Sequence, residues 1–283
     1  MSATGTKSMP PPLAKAAAQK PTNTATSPLT MREIAFQPPR IVLHAVEGWG
    51  KTSTAAFAPD AAIIMARGET GYDTLLGGQR VPQVLATVAE TWTDLLGLLD
   101  ALIAEPSPSC KTLALDAAGG IERLCHEHVC ARDFGNDWGE RGFSAYQKGY
   151  DVAVTDWLAM LNKLDALKGR GVSVVILSHC AVRNFKNPLG ADYDRYISDV
   201  HNKTWAVTSR WADAVLFGNF LTILDKQDGR EKGIGGTERV LYAERRDAYD
   251  AKNRYGMPAQ MKIPNDPAQV WPTIWSAITG KEV

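Results

Sequence analysis

The sequence predicts one large α/β domain built on a mostly parallel sheet. Three observations predict it. The stretch Ala45-Val46-Glu47-Gly48-Trp49-Gly50-Lys51-Thr52 lies between a β-branched run, Ile41-Val42-Leu43, and Ser53-Thr54-Ala55-Ala56-Phe57, which can open a helix. Further apolar runs at 61–66, 112–115 and 172–177 lead straight into polar or acidic residues. Amphipathic helical patterns lie between them, as in βαβ units. At 283 residues the chain is long enough to bury a substantial core.

The first stretch carries the chemistry. Its glycines let the backbone curl so that successive N–H groups point inward at an anion. The helix start adds about half a positive charge. Residues Ala45 to Ser53 are therefore the candidate cradle for a nucleotide's phosphates. Lys51 supplies a mobile cation for the β- and γ-phosphates, and the Thr52 hydroxyl is placed to ligate Mg²⁺. Ala45 stands where the strict pattern has glycine.

Bulk properties narrow the rest. Lysine plus arginine equal aspartate plus glutamate, 31 against 31, so any polyanion site must be a local patch. No apolar run is long enough to span a membrane, and the N-terminus lacks the apolar core of a secretion signal. Cys110, Cys125, Cys130 and Cys180 read as reduced thiols, and the expected location is cytoplasmic. Residues 1–38 are rich in Ala, Pro, Thr and Lys and read as a disordered N-terminal arm. The expected core is 39–257, and 258–283 read as a C-terminal helix packing back through Trp271, Ile274 and Trp275.

Past the second strand, Glu69 falls on the edge where parallel sheets bind ligands. It is the candidate for orienting and deprotonating an attacking water. Thr91 and Asp94 form a capping box ahead of Trp92, Leu95, Leu96, Leu99 and Ile103. Asp116 ends the next strand and is the candidate Mg²⁺ partner opposite Thr52. Cys125-His126-Glu127-His128-Val129-Cys130 has metal-ligand residue types, but no second Cys/His pair appears. Two buried thiols on a helix are the better reading.

Residues 131–150 read as a long loop whose aromatics, with Arg141 and Lys148, either stack on bases or fold back on the domain. A helix capped by Asp151 then carries Val154, Trp157, Leu158, Leu161 and Leu164 on one face. The strand from Val172 finishes at Ser178-His179, and His179 is a candidate γ-phosphate or water contact. Residues 180–204 read as a flexible loop in which Arg183, Lys186, Arg195 and Lys203 alternate with aromatics, a pattern suited to single-stranded nucleic acid. Trp211–Phe217 reads as a fifth strand. Leu221–Leu224 and Arg239–Glu244 flank a polar segment and read as a hairpin, followed by Lys252-Asn253-Arg254 on a turn.

With these residues in place, the chain resembles the RecA-like P-loop ATPases, and more narrowly the phage single-domain ATP-binding proteins of single-strand annealing and recombination. Glu47, Glu69, Asp116, Ser178-His179, Trp211-Ala212-Asp213 and Lys252-Asn253-Arg254 carry the resemblance over about residues 39–257. The resemblance implies a RecA-like sheet with a C-terminal hairpin, ATP and Mg²⁺ as cofactors, and ATP hydrolysis. It implies self-assembly into a ring or filament with ATP at the subunit interfaces, where Lys252 and Arg254 would reach a neighbour's γ-phosphate. Single-stranded DNA is the expected partner, and a single-strand-binding protein a further one. Rival readings are a helicase-like or packaging motor, a nucleotide or metabolite kinase, and an ATP-gated scaffold.

Overall fold

The computed structural model describes residues 35–227 and 230–280, so the arm expected at 1–38 falls almost wholly outside the described residues. The chain alternates strands and helices: β1 (Arg40–Ala45), α1 (Lys51–Ala56), β2 (Ala61–Ala66), α2 (Gly71–Gly77), β3 (Leu85–Ala89), α3 (Trp92–Ala104), β4 (Thr112–Asp116) and α4 (Ala118–Phe134). There follow α5 (Lys148–Gly169), β5 (Ser173–Phe185), β6 (Tyr193–Ser198), α6 (Asn202–Trp211), β7 (Ala214–Gln227) and β8 (Arg230–Tyr242). The short strands β9 (Lys252–Asn253) and β10 (Gln260–Ile263) and the helix α7 (Val270–Thr279) complete it.

The strand order is β10-β8-β7-β1-β5-β4-β2-β3. From β7 to β3 every neighbouring pair is parallel, while β8 and β10 add antiparallel strands at one edge. The central strands are apolar on both faces because both faces are covered. Ile41, Leu43, Ile63, Val175 and Leu216 face a core shared with Ala55 of α1 and Trp271 and Ile274 of α7. Val42, Ile64, Leu113, Val174 and Ile176 face the other core, with Trp92 and Leu95 of α3, Leu124 of α4 and Trp157 of α5. The pleat's period of two assigns alternate residues to the two layers.

Several boundaries differ from the sequence reading, each for a physical reason. Residues 180–204 are not a loop. β5 continues past the sheet to Phe185 and pairs antiparallel with β6, from Cys180↔Ser198 to Phe185↔Tyr193. Its outer half has no buried position, so no apolar alternation betrays it. Trp211 ends α6 rather than opening a strand, and β7 starts at Ala214. The expected loop at 131–150 shrinks because α4 runs to Phe134 and α5 begins at Lys148. Asp151 thus lies in the first turn of α5 instead of capping it, and Leu158 is exposed. The aromatics there divide: Phe143 is buried among Phe134, Trp138, Tyr150 and His126, whereas Tyr146 is fully exposed. The polar segment between the hairpin arms is mostly strand, and the arms pair out to Gln227↔Arg230.

Candidate functional site

β1 ends at Ala45, whose register partners are His179 on β5 and Gly218 on β7. Beyond it the chain turns through Gly48 (φ +73°) and Gly50 (φ +104°), conformations that residues with a Cβ adopt only under strain. The Val46 N–H donates to the Gly218 carbonyl at 3.1 Å. Trp49 is fully buried, and its indole N–H donates to the Val240 carbonyl at 3.1 Å. A Cβ at Gly218 would lie 2.6 Å from the Trp49 ring. Trp49 therefore offers the cradle its backbone alone, and its side chain bolts the loop to β7 and β8.

Arg239 of β8 closes the loop from above. Its Nη1 donates to the Trp49 carbonyl at 3.0 Å, and the guanidinium lies 5.8 Å from the indole centre. Lys51 opens α1, and its ammonium donates to the Ala45 carbonyl at 3.0 Å. Burial pulls the Lys51 pKa below its ordinary value, opposed by the nearby Cys180, Asp116, Asp199 and Glu47.

The Thr52 hydroxyl donates to Asp116 Oδ2 at 2.7 Å, joining the start of α1 to the end of β4. A hydroxyl and a carboxylate, both hard oxygen donors, fit Mg²⁺, which takes few protein ligands and keeps its waters. Burial pushes the Asp116 carboxyl up, with the Thr52 hydrogen bond and the charges of His179 and Lys51 pulling the other way. Burial and the neighbouring Asp116 also raise Glu69, the direction that suits a group meant to accept a proton.

Two glycines in the first turn of α4 bring the acids together. A Cβ at Gly120 would lie 2.7 Å from the Ala66 Cβ and 3.6 Å from Glu69 Oε1. A Cβ at Gly119 would lie 2.8 Å from Asp199 Oδ2. Glu47, Gly48, Trp49, Gly50, Lys51, Thr52, Ser53, Glu69, Asp116 and His179 all line one cleft of about 500 Å³. The sequence reading missed four side chains in its wall: Leu75, Arg80, Arg239 and Pro267. Asp199, just past the end of β6, acts on the charges of Lys51 and Glu69. The Gly119-Gly120 pair after Asp116 was the readable signal of a close approach; Arg239 had none.

Other predicted residues lie elsewhere. Lys252 and Arg254 sit beside the start of β7, where Val215 pairs with Lys252, at the sheet edge opposite the phosphate loop. Lys252 Nζ donates to the Ser209 carbonyl at 2.5 Å, and Arg254 pairs with Asp213 at 3.1 Å. Within one chain they do not meet the cleft. Arg195, a candidate nucleic-acid contact, is buried, ion-paired with Asp250, and donates to the Tyr249 carbonyl at 3.0 Å. It is a structural arginine, which corrects that expectation. Arg141, Lys148, Arg183 and Lys186 are exposed, and Lys203 is half-buried against Asp151. Cys125 and Cys130 are buried thiols on α4, and among the described residues no three metal-ligating side chains cluster.

A cation and a hydroxyl at a helix start, facing a carboxylate at the tip of a parallel strand, make this a P-loop ATPase on a mostly parallel α/β sheet. The chain belongs to the AAA domain family, whose model matches residues 37–255. Among solved structures it is similar to the RadB recombinase, at 10% identity and a TM-score of 0.47 over 82% of this chain and 90% of that one. It is also similar to a KaiC-like protein from the hyperthermophilic archaeon Pyrococcus horikoshii OT3, at 10% identity and a TM-score of 0.40 over 82% and 88%. No curated protein matches the chain significantly. Among the described residues no helix is long and apolar enough to cross a membrane.

Proposed function

We propose that the chain is a Mg²⁺-dependent ATPase that assembles on single-stranded DNA and promotes annealing or strand pairing in homologous recombination. One observation carries the DNA half of this reading: basic and aromatic side chains from three elements gather on one surface around His201. Arg183 of β5 donates to the carbonyls of Asp199 and Val200, at 3.0 and 3.3 Å. The next residue, His201, lies 3.2 Å from Gln147 Oε1 and stacks on Tyr150 with ring centres 4.2 Å apart. The hairpin base and the starts of α5 and α6 thereby share one surface. It displays Lys148, Arg183, Lys203 and the fully exposed Tyr146. Cations that track a backbone beside an aromatic that stacks on bases are the means of binding single strands without reading sequence.

In this reading the loop amides and Lys51 bind the phosphates, and Thr52 and Asp116 hold Mg²⁺, which neutralises charge developing on the phosphate oxygens. Glu69 orients the attacking water and takes its proton, while His179 senses the γ-phosphate. Lys252 and Arg254, at the opposite edge, would meet a neighbour's cleft in a head-to-tail ring or filament. The test is steady-state ATP turnover with and without a single-stranded oligonucleotide across a salt series. The expected result is a tenfold or greater stimulation that fades between about 50 and 200 mM salt. Absence of stimulation at every salt concentration would remove the DNA role and leave the ATPase.

A further inference from the structure

We propose that Asp199 is a positioning residue of the ATPase cleft, locking the wall that carries His179 to the base of the β5–β6 hairpin. The inference rests on the ATPase alone and not on the identity of any partner. β5 leaves the parallel sheet between His179, the register partner of Ala45, and Cys180, which pairs with Ser198 of β6. The strand therefore changes sheets at the cleft. A strand that changes partners needs a fixed point there, or the two sheets would move independently.

The fixed point is a buried polar knot. Ser178 and Ser198 are both fully buried, and their hydroxyl oxygens lie 2.7 Å apart. The Ser178 hydroxyl also lies 3.0 Å from Asp199 Oδ1, and the Asp199 N–H donates to the His179 carbonyl at 3.1 Å. The other carboxylate oxygen sits against the first turn of α4, where Gly119 leaves it room. A negative charge at a helix N-terminus is favoured there. Asp199 thus joins β5 and α4 from the end of β6, near enough for its charge to act on Lys51 and Glu69. Buried and satisfied networks of this kind fix one geometry and tolerate no loose member.

The test compares Asp199→Ala and Asp199→Asn with the wild-type chain, reading kcat, KM for ATP and affinity for a fluorescent ATP analogue. The expected result for Asp199→Ala is a tenfold or greater loss of kcat with KM and analogue affinity within twofold of wild type. Asp199→Asn keeps an oxygen to accept the Ser178 hydrogen bond, and it should recover most of the lost kcat. Intact analogue binding shows that a slow variant is folded. Wild-type kcat in Asp199→Ala would overturn the proposal. So would a parallel loss of kcat and analogue affinity, which marks a merely structural residue. Ser178→Ala, which removes the knot's centre but no charge, should lower kcat in the same pattern; an unchanged kcat there would also overturn it.

Discussion

At the scale of single residues, the proposed function divides the cleft between groups that hold a nucleotide and groups that react with it. Lys51, Thr52 and the loop amides sit on one side, while Glu69, raised by burial and by Asp116, sits on the other. Replacing Glu69 with Gln keeps its shape and removes the proton acceptor. We expect ATP affinity to stay within about twofold while turnover falls about 10²–10⁴-fold, the range of general-base catalysis. A Gln variant that hydrolyses ATP at the normal rate would exclude the role. Residues also set the pH range of the fold. Burial lowers both His44 and His126 to about 4, so the unfolded chain takes up protons that the folded one refuses. Their contribution is therefore complete above about pH 6.5 and is lost as pH falls toward 4, by up to about 1.4 kcal/mol per pH unit each. Asp213 does not blur that window. Burial alone would raise it, but hydrogen bonds from Arg40 and Lys168 outweigh that and hold it well below the usual carboxylate range. Denaturant midpoints measured between pH 7.5 and 5 should fall, and His126→Phe, among Phe143 and Tyr150, should flatten the slope. An unchanged slope in that variant would refute the assignment.

At the scale of elements, the phosphate loop is built by strands far from it in sequence. Trp49 hangs from the Val240 carbonyl, Val46 from the Gly218 carbonyl, and Arg239 clasps the Trp49 carbonyl. A Gly218→Val substitution would drive two methyl groups into the Trp49 ring, an overpacking cost of about 1–3 kcal/mol. The atoms it meets first belong to Trp49 of the loop and Ala45 at its root, so the strain should appear there. We expect ATP affinity to fall tenfold or more while the melting temperature moves by only a few degrees, measured by analogue titration and calorimetry. The reverse pattern would place the strain in the core instead. This division also explains what was legible in the sequence. β1, β2 and β4 could be read because both faces are buried and the runs are continuous, and the acids at their tips came with them. The β5–β6 hairpin could not, since it projects beyond the sheet and the buried positions of β6 are the polar Arg195 and Ser198, which give no apolar period. α6 was hidden because Thr204 and Thr208 are its buried face, and threonine is a weak helix signal. Asp199 and Arg239 reach the cleft only through pairings that no local pattern encodes.

At the scale of the whole molecule, the cleft and the Lys252–Arg254 pair lie at opposite edges of one sheet. A surface that offers a nucleotide at one edge and cations at the other suits head-to-tail stacking, in which each chain completes the next one's site. Within the chain Arg254 pairs with Asp213, which Arg40 and Lys168 also hold, so removing Arg254 should leave the fold intact. That makes a subunit-mixing experiment clean. Lys51→Ala chains should lack ATP binding, and Arg254→Ala chains should bind ATP but turn it over slowly. Each preparation alone should be nearly inactive. Mixed in equal amounts, they form some interfaces where an intact phosphate loop faces an intact arginine, and random mixing restores about a quarter of wild-type turnover. If the active unit is an interface and not a chain, recovery should rise with protein concentration. If Arg254 serves its own cleft or none, the mixture will show only the average of its parts, and the shared-site arrangement fails even though the ATPase stands.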